Sequence, residues 1–212
     1  IAMSAGSEND NTILGIMRLI PRQKTVGDSI TKYYMREVVY MKSISGGRVD
    51  TQAIEIRKMF DEFNADYVVL DCQGLGQSIF DELSKPIIDM QTGVEYNTPW
   101  TCINDEKLKE RCTYPNAKPI VYAIHGSAQF NSDMHYDMLN NLTLGRISFL
   151  INENDAKEVV STIKGYYEMT PEVQMDILEQ YYQSSALINE MVNLKRIDNE
   201  VLLRRTPKRI YV

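Results

Sequence analysis

Apolar and polar positions change period several times along this chain, and each change marks an element. Residues 12–20 are aliphatic-rich and stop at Pro21, which predicts a strand. Residues 23–29 form a polar loop holding Gly27, and 33–43 form a second strand centred on Val38, Val39, Tyr40 and Met41. Ile1-Ala2-Met3 reads as the tail of a strand before both, joined to them by 4–11. Three successive strands with short connections predict an antiparallel meander. After Gly46-Gly47, Asp50 or Thr51 caps a helix bearing Ala53, Ile56, Phe60 and Phe63.

The run Tyr67-Val68-Val69-Leu70 predicts a buried strand that ends on Asp71. Gly74 and Gly76 then turn the chain into a helix over 77–83, which stops near Pro86. Residues 89–115 read as a long irregular stretch, with Trp100 and Cys102 available to pack against the body. A strand over 120–124 follows, then a helix over 133–142 closed by Gly145, then a strand over 147–151. Asn154 or Asp155 caps a helix carrying Ala156, Val159, Val160 and Ile163. Thr170-Pro171-Glu172 starts the last helix, with a capping Thr and Pro at the first helical position. A hairpin turning at Asp198-Asn199, with 201–203 as its second arm, ends the predicted order.

That order places an antiparallel meander before βα units. It predicts an α/β fold, a mixed sheet flanked by helices with a C-terminal β-hairpin, over a single domain spanning 1–212. The arrangement resembles the ribonuclease H-like fold, and the pattern also admits other α/β folds. Both ends of the sequence, at Ile1 and Val212, read as cut from a longer polypeptide.

Composition changes this picture little: 43% hydrophobic and 25% charged residues describe an ordinary globular chain. No apolar run approaches the roughly 20 residues of a membrane-spanning helix, so no membrane partner is expected. The N-terminus has neither the basic region nor the apolar region of a signal peptide. Cys72, Cys102 and Cys112 match no zinc spacing and form no disulfide framework, which fits a reducing compartment.

Charge changes it more. The chain carries −6 overall, yet Arg18, Arg22, Lys24, Lys32, Arg36, Lys42 and Arg48 face only Asp28 and Glu37 in their stretch. Lys195, Arg196, Arg204, Arg205, Lys208 and Arg209 repeat the pattern against Asp198 and Glu200. Two basic stretches on an acidic body suit a local track for phosphates, with ordinary solvated strand faces as the plainer explanation.

Asp71 is the leading candidate for chemistry, because open α/β sheets bind ligands beyond the carboxyl ends of their strands. Asp10, in the turn before residues 12–20, reaches the same neighbourhood if the meander forms; an Asx-turn is its plainer role. Gly74-Leu75-Gly76 is neither a Walker A loop nor a dinucleotide fingerprint. His125, at a strand end before Gly126, is the one histidine placed like an active-site residue, and His135 carries less weight. Carboxylates on strand tips without a reactive Cys or Ser motif favour metal-assisted over covalent catalysis. Two Mg²⁺ or Mn²⁺ ions would need several acidic oxygens converging on one point.

Three segments resemble the nuclease domain of the terminase large subunit of tailed bacteriophages. They are Asn9-Asp10-Asn11-Thr12, the run from Ala65 through Asp71 to Gly76, and Leu187-Ile188-Asn189-Glu190-Met191-Val192-Asn193-Leu194. The resemblance implies a ribonuclease H-like domain that binds divalent metals through acidic residues and cuts concatemeric viral DNA during packaging. Asp71 and Asp10 become the implied metal-binding and catalytic residues, and Arg204, Arg205, Lys208 and Arg209 the expected DNA contacts. It further implies double-stranded DNA, a terminase small subunit and a portal as partners, in the host cytoplasm. The family's first catalytic Asp directly precedes an Ile-Ala-like pair, and its last follows the terminal strand. Both positions fall outside 1–212, so the resemblance leaves activity of this stretch alone open.

Two other classes remain: a non-catalytic DNA-binding or assembly module of a packaging motor, and another α/β phosphohydrolase or nucleotide binder. The latter would need a helix N-terminus facing an open pocket.

Overall fold

The computed structural model describes residues 11–193, 195–197 and 202–204. Strands β1 (Asn11–Val26) and β2 (Ser29–Ser45) are longer than the sequence pattern predicts and are joined only by Gly27 and Asp28. Gly27 has φ 58°, the left-handed region that tight hairpin turns require. The expected loop over 23–29 is thus the tip of a ribbon. It lacks apolar alternation because neither of its faces is buried. Pro21 is tolerated there because β1 is an edge strand among the described residues, in the sheet order β1-β2-β8.

Helix α1 (Val49–Glu62) starts ahead of its expected caps, Asp50 or Thr51. Arg48 occupies the cap position without a side-chain bond, and Asp50 instead accepts the Thr51 N–H inside the first turn. Its face of Ala53, Ile56 and Met59 is buried. Strand β3 (Val68–Asp71) leads through Gly74 into α2 (Leu75–Leu83), whose Ile79, Phe80 and Leu83 are fully enclosed.

The stretch expected to be irregular is instead built from short elements. Strands β4 (Ile87–Ile88) and β5 (Glu95–Tyr96) pair antiparallel, followed by β6 (Trp100–Cys102), α3 (Glu106–Arg111) and β7 (Lys118–Ile124). Elements this short leave no readable hydrophobic period. Trp100 and Cys102 are buried, as expected, and Trp100 carries a buried cation on its ring. The Arg57 guanidinium lies 3.6 Å from the ring centroid and donates to the Thr98 and Leu83 carbonyls at 2.9 and 2.7 Å. Burial lowers the Arg57 pKa to about 10, so the group stays charged at neutral pH.

Strands β3, β7 and β6 form a parallel sheet in the order β3-β7-β6, with Asp71 opposite Ile124 and Cys102 opposite Val121. Val68, Leu70, Val121, Ala123, Trp100 and Cys102 are buried.

Helix α4 (Ala128–Thr143) begins five residues before its predicted start, because the Ser127 hydroxyl caps it by accepting the Phe130 N–H at 3.1 Å. Gly145 at φ 63° ends it, as predicted. Strand β8 (Ile147–Ser148) is shorter than expected and runs parallel to β2. Helix α5 (Glu153–Val160) is capped by Asn152, not Asn154 or Asp155: its Oδ1 accepts both of their N–H groups at 3.0 Å. A 3₁₀ turn (Tyr166–Glu168) precedes α6 (Pro171–Val192), which starts at Thr170-Pro171 as predicted. Ala156, Val160, Tyr166 and Leu178 form the core between α5 and α6. Strands β9 (Lys195–Ile197) and β10 (Leu202–Arg204) pair antiparallel, and the turn expected at Asp198-Asn199 lies outside the described residues. So does the strand tail expected at Ile1-Ala2-Met3.

The fold is mixed α/β, with six helices and both parallel and antiparallel pairing among the described residues. It divides into two compact units, Ile1–Leu14 with Ser43–Gly126, and Gly15–Lys42 with Ser127–Val212. Among the described residues, no helix is long and apolar enough to cross a membrane.

Candidate functional site at the carboxyl edge of the parallel sheet

All three strands of the β3-β7-β6 sheet end on one edge, and three loops leave from it. The β3–α2 loop brings Asp71. Leu70 is buried, whereas Tyr67 and Val69, on the alternate face shared with Asp71, are 66% and 52% exposed. Asp71 is itself half-buried. Its Oδ1 accepts the Gln73 N–H at 3.0 Å, while Oδ2 has no hydrogen bond among the described residues. One oxygen thus ties down the turn and the other is available.

The two glycines after Asp71 have separate physical reasons. Gly74 adopts φ 60° and ψ −117°, a conformation that L-residues avoid. At position 76 a β-carbon would overlap the Asp71 carbonyl, so only glycine lets the first turn of α2 sit against the strand tip.

The β6–α3 loop brings Asn104 and Asp105. The Asn104 side chain bonds both the N–H and the carbonyl of Ala123, each at 2.8 Å, and so fastens the loop to the central strand. Asp105 caps α3 through Oδ1, which accepts the Leu108 N–H at 3.2 Å. Its Oδ2 lies 2.9 Å from Nε2 of His125, the first residue of the β7–α4 loop. The His125 bond, followed by the Leu108 N–H, holds the Asp105 carboxyl below its ordinary value. Gln73 Nε2 donates to the Gly126 carbonyl at 3.2 Å, and Cys72 N–H to the Ile124 carbonyl at 2.9 Å, which links the remaining pair of loops.

Cys72 sits among these groups. Burial, with Cys102, Asp71 and Asp105 beside it, pushes its thiol up to about 12. It stays protonated and inert. Asp71 and Asp105 therefore lie on the same edge of the sheet, both near enough to one buried thiol to raise its pKa. All three cysteines are free thiols.

The arrangement offers a carboxylate oxygen on a strand tip and an imidazole oriented by a second carboxylate. The His125 ring, about half exposed, is oriented by Asp105 through Nε2. Asp71 has the hard oxygen chemistry that suits Mg²⁺ or Mn²⁺. In number the donors fall short: among the described residues, no three His, Cys, Asp or Glu side chains converge to hold a metal.

Asp10 lies outside the described residues, as do Arg205, Lys208 and Arg209. Arg204 lies in β10, opposite Lys195, and only its backbone is described. His135 is turned inward on α4, and its Nδ1 has no partner among the described residues. Asp105 went unread in the sequence because its stretch showed no periodicity. The available signal was Asn-Asp-Glu before Leu108, a helix-capping pattern. Compared with known proteins, the chain matches no family model, no curated protein and no solved structure.

Proposed function

We propose that this chain is a ribonuclease H-like nuclease domain of the terminase large subunit kind, with a C-terminal β-hairpin. In this reading it is a divalent-metal-dependent endonuclease that cuts concatemeric viral double-stranded DNA during genome packaging. Asp71 carries the proposal: it stands at the carboxyl tip of a strand in a parallel sheet, with one oxygen tethered and the other open. Asp71 and Asp10 are the proposed metal ligands, and the remaining donors lie beyond the described residues. Mg²⁺ or Mn²⁺, in a two-metal site, would supply Lewis acidity toward a phosphodiester. Arg204, Arg205, Lys208 and Arg209 would contact DNA phosphates. The terminase small subunit and the portal are the further proposed partners, in the host cytoplasm.

The test is cleavage of supercoiled plasmid by the chain, and by a version extended at both ends, across a titration of Mg²⁺ or Mn²⁺. Metal-dependent nicking by the extended version supports the reading. Its absence at every metal concentration, from folded protein, removes it.

The His125–Asp105 pair favours a second reading, an α/β phosphohydrolase that moves protons through an oriented imidazole. Hydrolysis of a small phosphodiester that survives chelation and is lost in His125→Gln would select it.

A further inference from the structure

Among the described residues, those at the tip of the β1–β2 ribbon bury nothing. Residues 21–25 and 27–32 are all exposed, which makes both faces of the ribbon tip solvent-facing. An isolated two-stranded ribbon is marginal in water, so an arm of this length adds no core of its own. Arg18 bonds Glu37 across the strands, which places both on one face. By alternation Arg22 and Lys24 share that face. The opposite face then carries Met17, Leu19, Ile30 and Tyr34, exposed by 50–63%, together with Lys32 and Arg36.

Beyond the Arg18–Glu37 pair, cationic charge on this arm is left without an acidic partner among the described residues. Arg22, Lys24 and Lys32 have no carboxylate partner among the described residues. Arg36 donates to the Tyr34 carbonyl and Asn141 Oδ1, both neutral, and so keeps its charge. Asp28 is the one acidic residue between positions 18 and 36, in a chain of net charge −6. Charge complementarity fits a polyanion as the occupant of this locally cationic arm. Pro21 and the flanking cations further blunt strand-to-strand pairing along the β1 edge, which has no partner strand among the described residues.

We propose that the β1–β2 ribbon is an arm that lies in the major groove of duplex DNA. The Met17, Leu19, Ile30 and Tyr34 face lies toward the base edges; Lys32 on that same face, and Arg22 and Lys24 reaching around the ribbon's edges from the other, contact the flanking phosphates. The groove is about 12 Å wide and admits a two-stranded ribbon, and thymine methyl groups offer apolar contacts. About six exposed residues per strand extend roughly 20 Å. That spans about six base pairs at 3.4 Å each. The inference rests on the proposed action on DNA and adds how the duplex is gripped.

The experiment measures mobility shifts of 30-base-pair duplexes by the chain and by R22Q/K24Q/K32Q, at two salt concentrations. All three positions are exposed, and circular dichroism checks that the fold is unchanged. The variant should bind at least tenfold more weakly at low salt. Its salt slope should be shallower by roughly 2–3, since each lost phosphate contact removes about 0.9. Methyl green, which occupies the major groove, should compete, and distamycin, which occupies the minor groove, should not. If the chain binds and the variant binds equally, the arm assignment falls while action on DNA stands. If the chain binds no duplex even at low salt, both fall. Competition by distamycin alone overturns the groove. A concentration-dependent dimer abolished by I30S/Y34S, with DNA binding intact, overturns the assignment in favour of self-association.

Discussion

Gly76 approaches Asp71 so closely that the β-carbon of any other residue would overlap the Asp71 carbonyl oxygen. The catalytic candidate and the first turn of α2 are therefore one mechanical unit. What the sequence shows as Asp-x-x-Gly-x-Gly is a strand tip with a helix pressed against it.

Gly76→Ala should move that tip. Alanine is the better helix former by about 1 kcal/mol, but overpacking against a backbone atom costs about 1–3 kcal/mol, so the net effect is destabilising. Gly27→Ala provides the comparison: it meets a positive φ, which Gly76→Ala does not, and its β-carbon enters open space. Urea unfolding should show both variants destabilised. Only Gly76→Ala should impair cleavage by the extended protein, and equal activity of the two would separate Asp71 from the helix start.

Arg57 should matter to stability alone. Truncation to Ala removes two charge-assisted bonds to the Thr98 and Leu83 carbonyls and the cation over Trp100. Each such bond is worth about 1.5–3 kcal/mol, so a loss of about 3–5 kcal/mol is expected. Arg57→Lys should recover part of it, since an ammonium reaches the carbonyls without the planar stack. Thermal unfolding of the two variants is the check. A change within error for Arg57→Ala would mean that the buried cation is replaceable by water.

What was legible in the sequence was local. Thr170-Pro171 marked the start of α6, and Gly145 marked the end of α4, because capping and left-handed backbone need particular residues. Asp71 was legible because an apolar run ended on it. The Asp105–His125 pair was not, since the residues are 20 positions apart and meet only when β6 pairs with β7. The Asn104 bonds to Ala123 are equally a product of that pairing. The ribbon tip read as a loop for the opposite reason: alternation signals a buried face, and residues 21–25 and 27–32 are all exposed. Asn152 lost to Asn154 and Asp155 as the expected cap because Asn and Asp cap equally well, so residue type does not choose among the three positions.

The Asp105–His125 bond predicts a pH dependence. Asp105 is held below its ordinary value of 3.8 in the folded chain, so it contributes stability above that value. The contribution is lost as pH falls through the lower folded value. Stability followed by urea between pH 2 and pH 6 should drop on the acid side more steeply for the native chain than for Asp105→Asn. The two curves should run parallel above about pH 5, where the carboxyl is ionised in both folded and unfolded states. Coincident curves below pH 4 would show that the bond is not maintained in solution.

Asp71→Asn separates the fold of the site from its chemistry. The Asp71 carboxylate has two duties on two oxygens: Oδ1 accepts the Gln73 N–H, and Oδ2 is open. An asparagine Oδ1 can take the same N–H bond, so the turn, the Gly76 contact and the unfolding midpoint should all be retained. What disappears is the negative charge, and with it a hard anionic ligand for a divalent cation. In the extended protein, plasmid nicking should fall below detection at every Mg²⁺ or Mn²⁺ concentration. Duplex binding at low salt should stay the same or tighten, since an anion next to the phosphate path has been removed. Nicking that persists in a folded Asp71→Asn protein would take Asp71 out of the catalytic set. Activity lost together with the unfolding transition would mean that the carboxylate serves the turn alone.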